Sequence, residues 1–200
     1  LLVKSGIEEV ILMDIHAGQI QGFFDVPVNH LYAFPIARDY FIKKYNKKNL
    51  IIASPDAGGM ERARAFAKRS NIVDLAMTDK RRPAPNVAEI TNVIGNVKGK
   101  YVLLIDDIID TGGTAAKSAE ALIKAGAKGV SMFCTHGVLS GNAIQNIQNS
   151  SIDELIITDT INNQAKLKKI KKIRVLSVAD LFAKALRRII NKKSISNLFS

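Results

Sequence analysis

Four consecutive apolar residues, Val102 to Ile105, stop at the carboxylates Asp106 and Asp107, and Thr111, Gly112, Gly113 and Thr114 then lead into AAKSAEALIKAGAK. A short apolar run without alternation reads as a strand buried on both faces, which belongs to a parallel sheet, and the segment after it has helical spacing. This stretch commits the chain to a strand, a tight loop and a helix, with the loop at the carboxyl end of the strand. Backbone N–H groups and the helix N-terminus there present partial positive charge to an anion. Glycines let the backbone approach a phosphate closely, and the Thr111 and Thr114 hydroxyls can donate to it. A phosphate alone does not call for Asp106, Asp107 and Asp110. Carboxylates suit a diol or a divalent cation, so the combination predicts a sugar phosphate held with Mg2+. A glycine-rich turn with a merely solvated acidic rim does not require three carboxylates beside two threonines.

The same grammar recurs elsewhere. Leu50 to Ala53 followed by SPDAGGMERARAFAKRS predicts a second strand–loop–helix unit with Asp56 at its turn. Pro55, Asp56 and Gly58 are ordinary turn formers, so Asp56 reads equally as a turn residue or a site residue. In the helix, Ala63, Phe66 and Ala67 are expected in the core, and Arg62, Arg64, Lys68 and Arg69 mostly in solvent. Val10 to Met13 predicts a buried strand ending at Asp14 and His16, which are two positions apart and can point the same way toward a metal or a nucleotide phosphate. Further strands are expected at Asp74–Thr78, Gly129–Thr135, Leu155–Thr158 and Val175–Ser177. Helices are expected at Ala37–Tyr45 and Ala179–Ile190, with Ser140 capping another that starts near Asn142. His136 is assigned no chemistry. Lys80, Arg81 and Arg82 follow a strand end, and Pro83 and Pro85 argue against a continuing helix or central strand, which predicts an exposed, mobile cationic loop. It is either a solvated charge run or a lid whose cations arrive on closure. The fold class that follows is α/β, a mostly parallel sheet flanked by helices.

Charge and composition exclude more than they specify. Lys and Arg outnumber Asp and Glu by 29 to 18, a balance that attracts polyanions, yet the basic residues lack interleaved aromatics. They are densest at Lys166–Arg174 and Arg187–Lys193, which read as solvated faces, so no nucleic-acid partner is expected. No apolar run reaches membrane-spanning length, so no membrane partner is expected either. The single Cys134 sits in an apolar segment as a buried thiol, in keeping with a cytoplasmic protein. There is no GxxxxGK[ST] loop, no GxGxxG fingerprint and no zinc-spaced cluster. The chain opens without Met on a helical pattern that Gly6 stops, which predicts a fragment with its first element cut.

Several of these stretches resemble one family. IDDIIDTGGT is similar to the phosphoribosyl-diphosphate binding motif, shared by phosphoribosyltransferases and ribose-phosphate pyrophosphokinases. DIHAGQIQGFFDVPVNHLY, the SPDAGG loop and DKRRPAPNVAEITNVIGNVKGK resemble the pyrophosphokinases specifically. The resemblance implies phosphoribosyltransferase-type domains, with residues 1–33 the C-terminal part of a first and residues 34–200 a nearly complete second. It implies transfer of the diphosphoryl group of MgATP to the C1 hydroxyl of ribose 5-phosphate, giving 5-phosphoribosyl 1-diphosphate and AMP for nucleotide biosynthesis. By the same match, Lys80 and Arg82 are the catalytic cations. Arg82, Asp106, Asp107, Asp110, Thr111, Gly112, Gly113 and Thr114 hold ribose 5-phosphate, His16 meets ATP, and Asp14, His16, Asp25 and Asp56 meet Mg2+. It further implies a homo-oligomer, dimers assembling to a hexamer, with sites at subunit interfaces. Asn29 departs from the family's usual Asp, while Gln21 matches a position near its regulatory anion site. The alternatives are a phosphoribosyltransferase using the same central motif, and a non-catalytic regulatory homologue.

Overall fold

Strand periodicity and helix spacing resolve into one large sheet and one small one. The computed structural model describes residues 1–84 and 87–199, and the side chains of residues 80–91 lie outside the described set. A 3-10 turn at Val3–Ser5 ends on Gly6 in the left-handed region. β1 (Val10–Met13) and β2 (Val28–Leu31) then pair in parallel as a separate two-stranded sheet. The remaining strands are β3 (Leu50–Ser54), β4 (Leu75–Ala84), β5 (Val87–Ile94), β6 (Tyr101–Ile109), β7 (Gly129–Gly137), β8 (Ile152–Thr158) and β9 (Ile173–Leu176). They form a seven-stranded sheet in the order β5-β4-β3-β6-β7-β8-β9, parallel except for the antiparallel β5.

Side chains of the central strands point alternately to two cores. Ile51 and Ala53 of β3, with Val102 and Leu104 of β6, face α3 (Gly113–Lys124), α4 (Ala143–Gln148) and α5 (Gln164–Leu167). Leu50, Ile52, Leu103 and Ile105 face α1 (Phe34–Lys44), α2 (Met60–Ser70) and α6 (Ala179–Ile190). Each of these strand residues is at most 3% exposed, the burial on both faces that an unalternating apolar run requires. Met13 and Leu31 of the small sheet join the second core, and a C-terminal 3-10 turn at Ser196–Phe199 lays Phe199 against Tyr32 and Phe34.

The connectivity reverses between β3 and β6. From β3 the chain builds outward through β4 and β5, then crosses back to β6 and builds the other way. At such a reversal the loops leaving the carboxyl ends of adjacent strands diverge to opposite faces and leave a crevice, the usual ligand position in an open parallel sheet. Here the diverging loops are β3–α2 and β6–α3.

Three expectations need correction. The cationic segment was expected as a loop after Thr78, but β4 runs to Ala84 and pairs with β5 as an antiparallel edge ribbon. Beyond Met77 no β3 residue pairs with β4, so Pro83 breaks no inner ladder, and the register shift between Arg81 and Ala84 absorbs it. The side chains of Lys80 and Arg82, the expected catalytic cations, fall outside the described residues. β6 was expected to stop at Asp106, yet it stays paired with β7 as far as Ile109, so Asp106 and Asp107 belong to the strand and not to the loop. Ser140 does not cap α4; its hydroxyl donates to the Asp110 carboxylate.

Candidate active site

The loop between β6 and α3 is held open by its neighbours. Gly112 caps α3 at φ +73° and has no side chain to satisfy the helix's first N–H groups. A Cβ there would sit 3.3 Å from Ile147, so both the backbone sign and the packing of α4 call for glycine. Asn146 donates to the Thr111 carbonyl at 2.8 Å, and Ser140 bonds Asp110 through its backbone N–H as well as its hydroxyl. The cradle is pre-formed, with Asp110, Thr111, Gly112 and Thr114 bordering a cavity of about 700 Å³. Asp56, Asp106, Asp107 and Asp110 border the same cavity.

Asp106 and Asp107 have different surroundings. Asp107 is 1% exposed. Its Oδ2 accepts from Arg62 Nη2 at 2.6 Å and faces His16 Nδ1 at 2.9 Å, and its Oδ1 accepts from the Ile108 N–H at 2.8 Å. Burial alone would raise its pKa, but the Arg62 guanidinium and the His16 ring outweigh that and hold it below the ordinary carboxylate range. Asp106 keeps a quarter of its side chain exposed. Its Oδ1 accepts from the Asp107 N–H at 2.9 Å and from Arg62 Nη1 at 3.3 Å. Desolvation first, and then the adjacent Asp107, push its pKa up to about 7.

A second cavity, about 380 Å³, lies beyond His16 and Arg62 and is bordered by Asp14, His30, Tyr32, Phe34, Phe66 and Phe133 among others. His16, Gly58, Arg62 and Asp106 border both cavities. Asp14 sits at φ +39°, unfavourable for a residue with a side chain, and four contacts fix it there. Its N–H donates to the Leu31 carbonyl, and its Oδ2 accepts from the Ala33 N–H at 2.8 Å and Thr135 Oγ1 at 2.6 Å. His136 Nε2 bonds the Met13 and Asp14 carbonyls, so this histidine clamps the end of β1 onto β7. His30 Nε2 accepts from the Ile15 N–H while burial lowers its pKa.

The proposed cation ligands do not converge. Asp14 borders one cavity and Asp56 the other, His16 borders both, and Asp25 is exposed and borders neither. Among the described residues no group of three or more His, Cys, Asp or Glu side chains is placed to hold a metal ion. Asp56 Oδ1 accepts from the Gly59 N–H, and Asn29 bonds Glu9. Scattered carboxylates with spare oxygens fit Mg2+ in the mode where it keeps its waters and arrives on substrate phosphates.

Arg62 is the residue that sequence reading placed in solvent and the structure places at the centre. A helix that begins at the carboxyl end of a parallel strand turns its first residues toward the neighbouring strand end. Position three after Gly59 was the available signal.

Residues 76–200 match the family described as the phosphoribosyl synthetase-associated domain. The chain belongs to that family. Among its relatives, the ribose-phosphate pyrophosphokinase of Clostridium acetobutylicum is 50% identical over the whole chain, and that of Haemophilus influenzae 48% identical. The chain spans 62% and 64% of those two proteins' lengths. The crystal structure of phosphoribosylpyrophosphate synthetase from Mycobacterium smegmatis superposes with a TM-score of 0.85 at 36% identity, covering 96% of this chain and 61% of that one. The family drawn from the four motifs and the helix-flanked, mostly parallel sheet are both borne out.

Proposed function

We propose that this chain carries the sugar-phosphate half of a ribose-phosphate diphosphokinase, in a cytoplasmic, homo-oligomeric enzyme. We read residues 1–33 as the C-terminal part of a first phosphoribosyltransferase-like domain and residues 34–200 as a second that carries the ribose-phosphate loop. The observation that carries the reading is the pre-formed cradle of Asp110 to Thr114 opening on the same cavity as Asp106. In it the 5-phosphate rests on the Gly112–Thr114 amides and the Thr111 and Thr114 side chains, and the ribose hydroxyls donate to Asp106. The exposed His16 and the carboxylates of Asp14 and Asp56 flank the route by which the ATP phosphates enter, with Asp25 beyond them. Mg2+ bound to those phosphates would offset their charge. The C1 hydroxyl then attacks the β-phosphorus and AMP leaves with the bridging oxygen. Lys80 and Arg82 are the cations for the charge that develops. The protein's part in such a transfer is positioning and electrostatic stabilisation.

Phosphorus NMR of the chain with ribose 5-phosphate, ATP and Mg2+ tests this. The expected outcome is appearance of AMP together with new diphosphate resonances, or, for the sugar-phosphate half acting alone, selective broadening of ribose 5-phosphate. Folded protein that gives neither overturns the reading. Diphosphate released only when a purine or pyrimidine base is added to 5-phosphoribosyl 1-diphosphate would mark a phosphoribosyltransferase.

A further inference from the structure

The crevice between the two loops is bridged by one side chain. Arg62 projects from the first turn of α2, passes the side-chain-free Gly59, and spreads its guanidinium over both β6 carboxylates, Nη1 to Asp106 and Nη2 to Asp107. Glycine at position 59 is required by Ser54 and not by the arginine: a Cβ there would stand 2.5 Å from Ser54 Oγ but at an ordinary 3.7 Å from Arg62 Nη1. The two carboxylates are not equivalent. Both oxygens of Asp107 are engaged within the protein and its side chain is 2% exposed, whereas the Asp106 side chain is 25% exposed and borders both cavities. A sugar hydroxyl can reach Asp106 and finds almost no surface at Asp107.

We propose that Arg62, anchored on buried Asp107, is a positioning residue that presets the Asp106 carboxylate to accept the hydroxyls of a ribose phosphate. Asp107 acts through Arg62 and does not touch the sugar. The inference rests on the ribose-phosphate reading of the site. Two neighbouring carboxylates repel, and the cation that spans them opposes the turning away or protonation of either one. The planar fork of arginine satisfies both at once in fixed geometry, which the point charge of lysine does not. Hydroxyl recognition and phosphate recognition therefore come from different loops: α2 sets the first through Arg62, and the β6–α3 cradle supplies the second.

The test measures binding of ribose 5-phosphate, 2-deoxyribose 5-phosphate and inorganic phosphate to the wild-type chain, Arg62→Ala and Arg62→Lys. The wild type is expected to prefer ribose 5-phosphate over its 2-deoxy analogue by about tenfold, the value of a hydrogen bond to a charged group. Both variants should bring that ratio close to one while binding inorganic phosphate and the deoxy sugar as the wild type does. A ratio that survives in both variants overturns the proposal. So does a parallel loss of affinity for all three probes, which is what a merely structural arginine would give. If Arg62→Ala fails to fold because Asp107 is left buried without its main partner, Arg62→Lys, which keeps the charge and loses the fork, decides. A wild type without any preference for ribose 5-phosphate over inorganic phosphate would sink the ribose-phosphate reading itself, and that failure is visible before any variant is made.

Discussion

The two loops at the switch point leave adjacent parallel strands in the same direction and begin with similar glycine-rich sequences, yet one is closed on itself and the other is open. In the β3–α2 loop, Asp56 Oδ1 accepts from the Gly59 N–H at 3.0 Å, and Ser54 Oγ donates to the Asp56 carbonyl at 2.6 Å. Asp56 Oδ1 and Ser54 Oγ are spent on the turn, and the loop leads to Arg62 one turn further on. In the β6–α3 loop the helix cap is Gly112, with nothing to spend, and the pinning bonds from Ser140 and Asn146 come from behind. A loop that satisfies its own donors cannot bind an anion with them. One that is held in shape by neighbours does not need its own side chains to close the turn. Residue composition hardly distinguishes the two; the difference lies in which partners the fold brings.

The sharpest way to break this comparison is to remove the anchor between the loops. Asp107→Ala should destabilise the chain by about 2–3 kcal/mol, because Arg62 keeps only its longer bond to Asp106 and the Ile108 N–H loses its acceptor. A thermal or denaturant melt reads this, and an unchanged midpoint would show that the loops do not depend on their bridge. Next, Gly112→Ala should cost about 1–2 kcal/mol through the left-handed backbone and the contact with Ile147. Gly113→Ala, whose Cβ would meet only Thr111 Oγ1 at 3.9 Å, should leave the melt unchanged while weakening phosphate binding in the cradle. Equal melts for the two variants would contradict the assignment of strain to position 112 alone. On the closed loop, Asp56→Ala removes a cap-like bond and should cost about 1 kcal/mol without affecting binding of inorganic phosphate at the other loop. Loss of phosphate binding there would show that the loops do not act separately.

The smallest effect is one of pH. Asp106 has a folded pKa near 7 against an ordinary value of 3.8, so between those values the folded chain keeps a proton that the unfolded chain has lost. Stability attributable to this group is therefore present at low pH, falls as pH rises through that window and levels off above about 7. Asp107, shifted the other way by Arg62 and His16, is ionised in both states throughout this window, and its own contribution is lost only at lower pH. Melts across the window should show a downward component in the wild type that Asp106→Asn lacks, and the preference for ribose 5-phosphate over its deoxy analogue should strengthen as pH passes 7. A preference independent of pH would mean that the carboxylate does not read the sugar.

Much of the fold was legible because it rests on local pattern. The unalternating runs at Leu50 and Val102 can only be strands covered on both faces, and the bounds expected for α6, Ala179 to Ile190, match the observed helix. The cationic segment was misjudged because Pro83 excludes a strand only where both edges are paired, and whether an edge is paired is not written in the segment. Arg62 was missed for a related reason. On its own helix it falls among other basic residues that do face solvent, and only the approach of β6 turns it into a bridge.

By itself the sequence determined that strands alternate with helices, that one glycine-rich loop follows a buried strand with carboxylates beside it, and which family the chain belongs to. Those are properties of short windows, in which spacing and residue type dictate the backbone. The tertiary structure decided which of two similar loops is pinned by neighbours and not by itself, which of two adjacent carboxylates is exposed to the cavity, and which of several arginines holds them. These depend on contacts between residues 44 and 45 positions apart, between Arg62 and the aspartates, and 121 apart, between Thr135 and Asp14. No local pattern encodes such pairs, because they exist only once the parallel sheet has set its strand ends side by side.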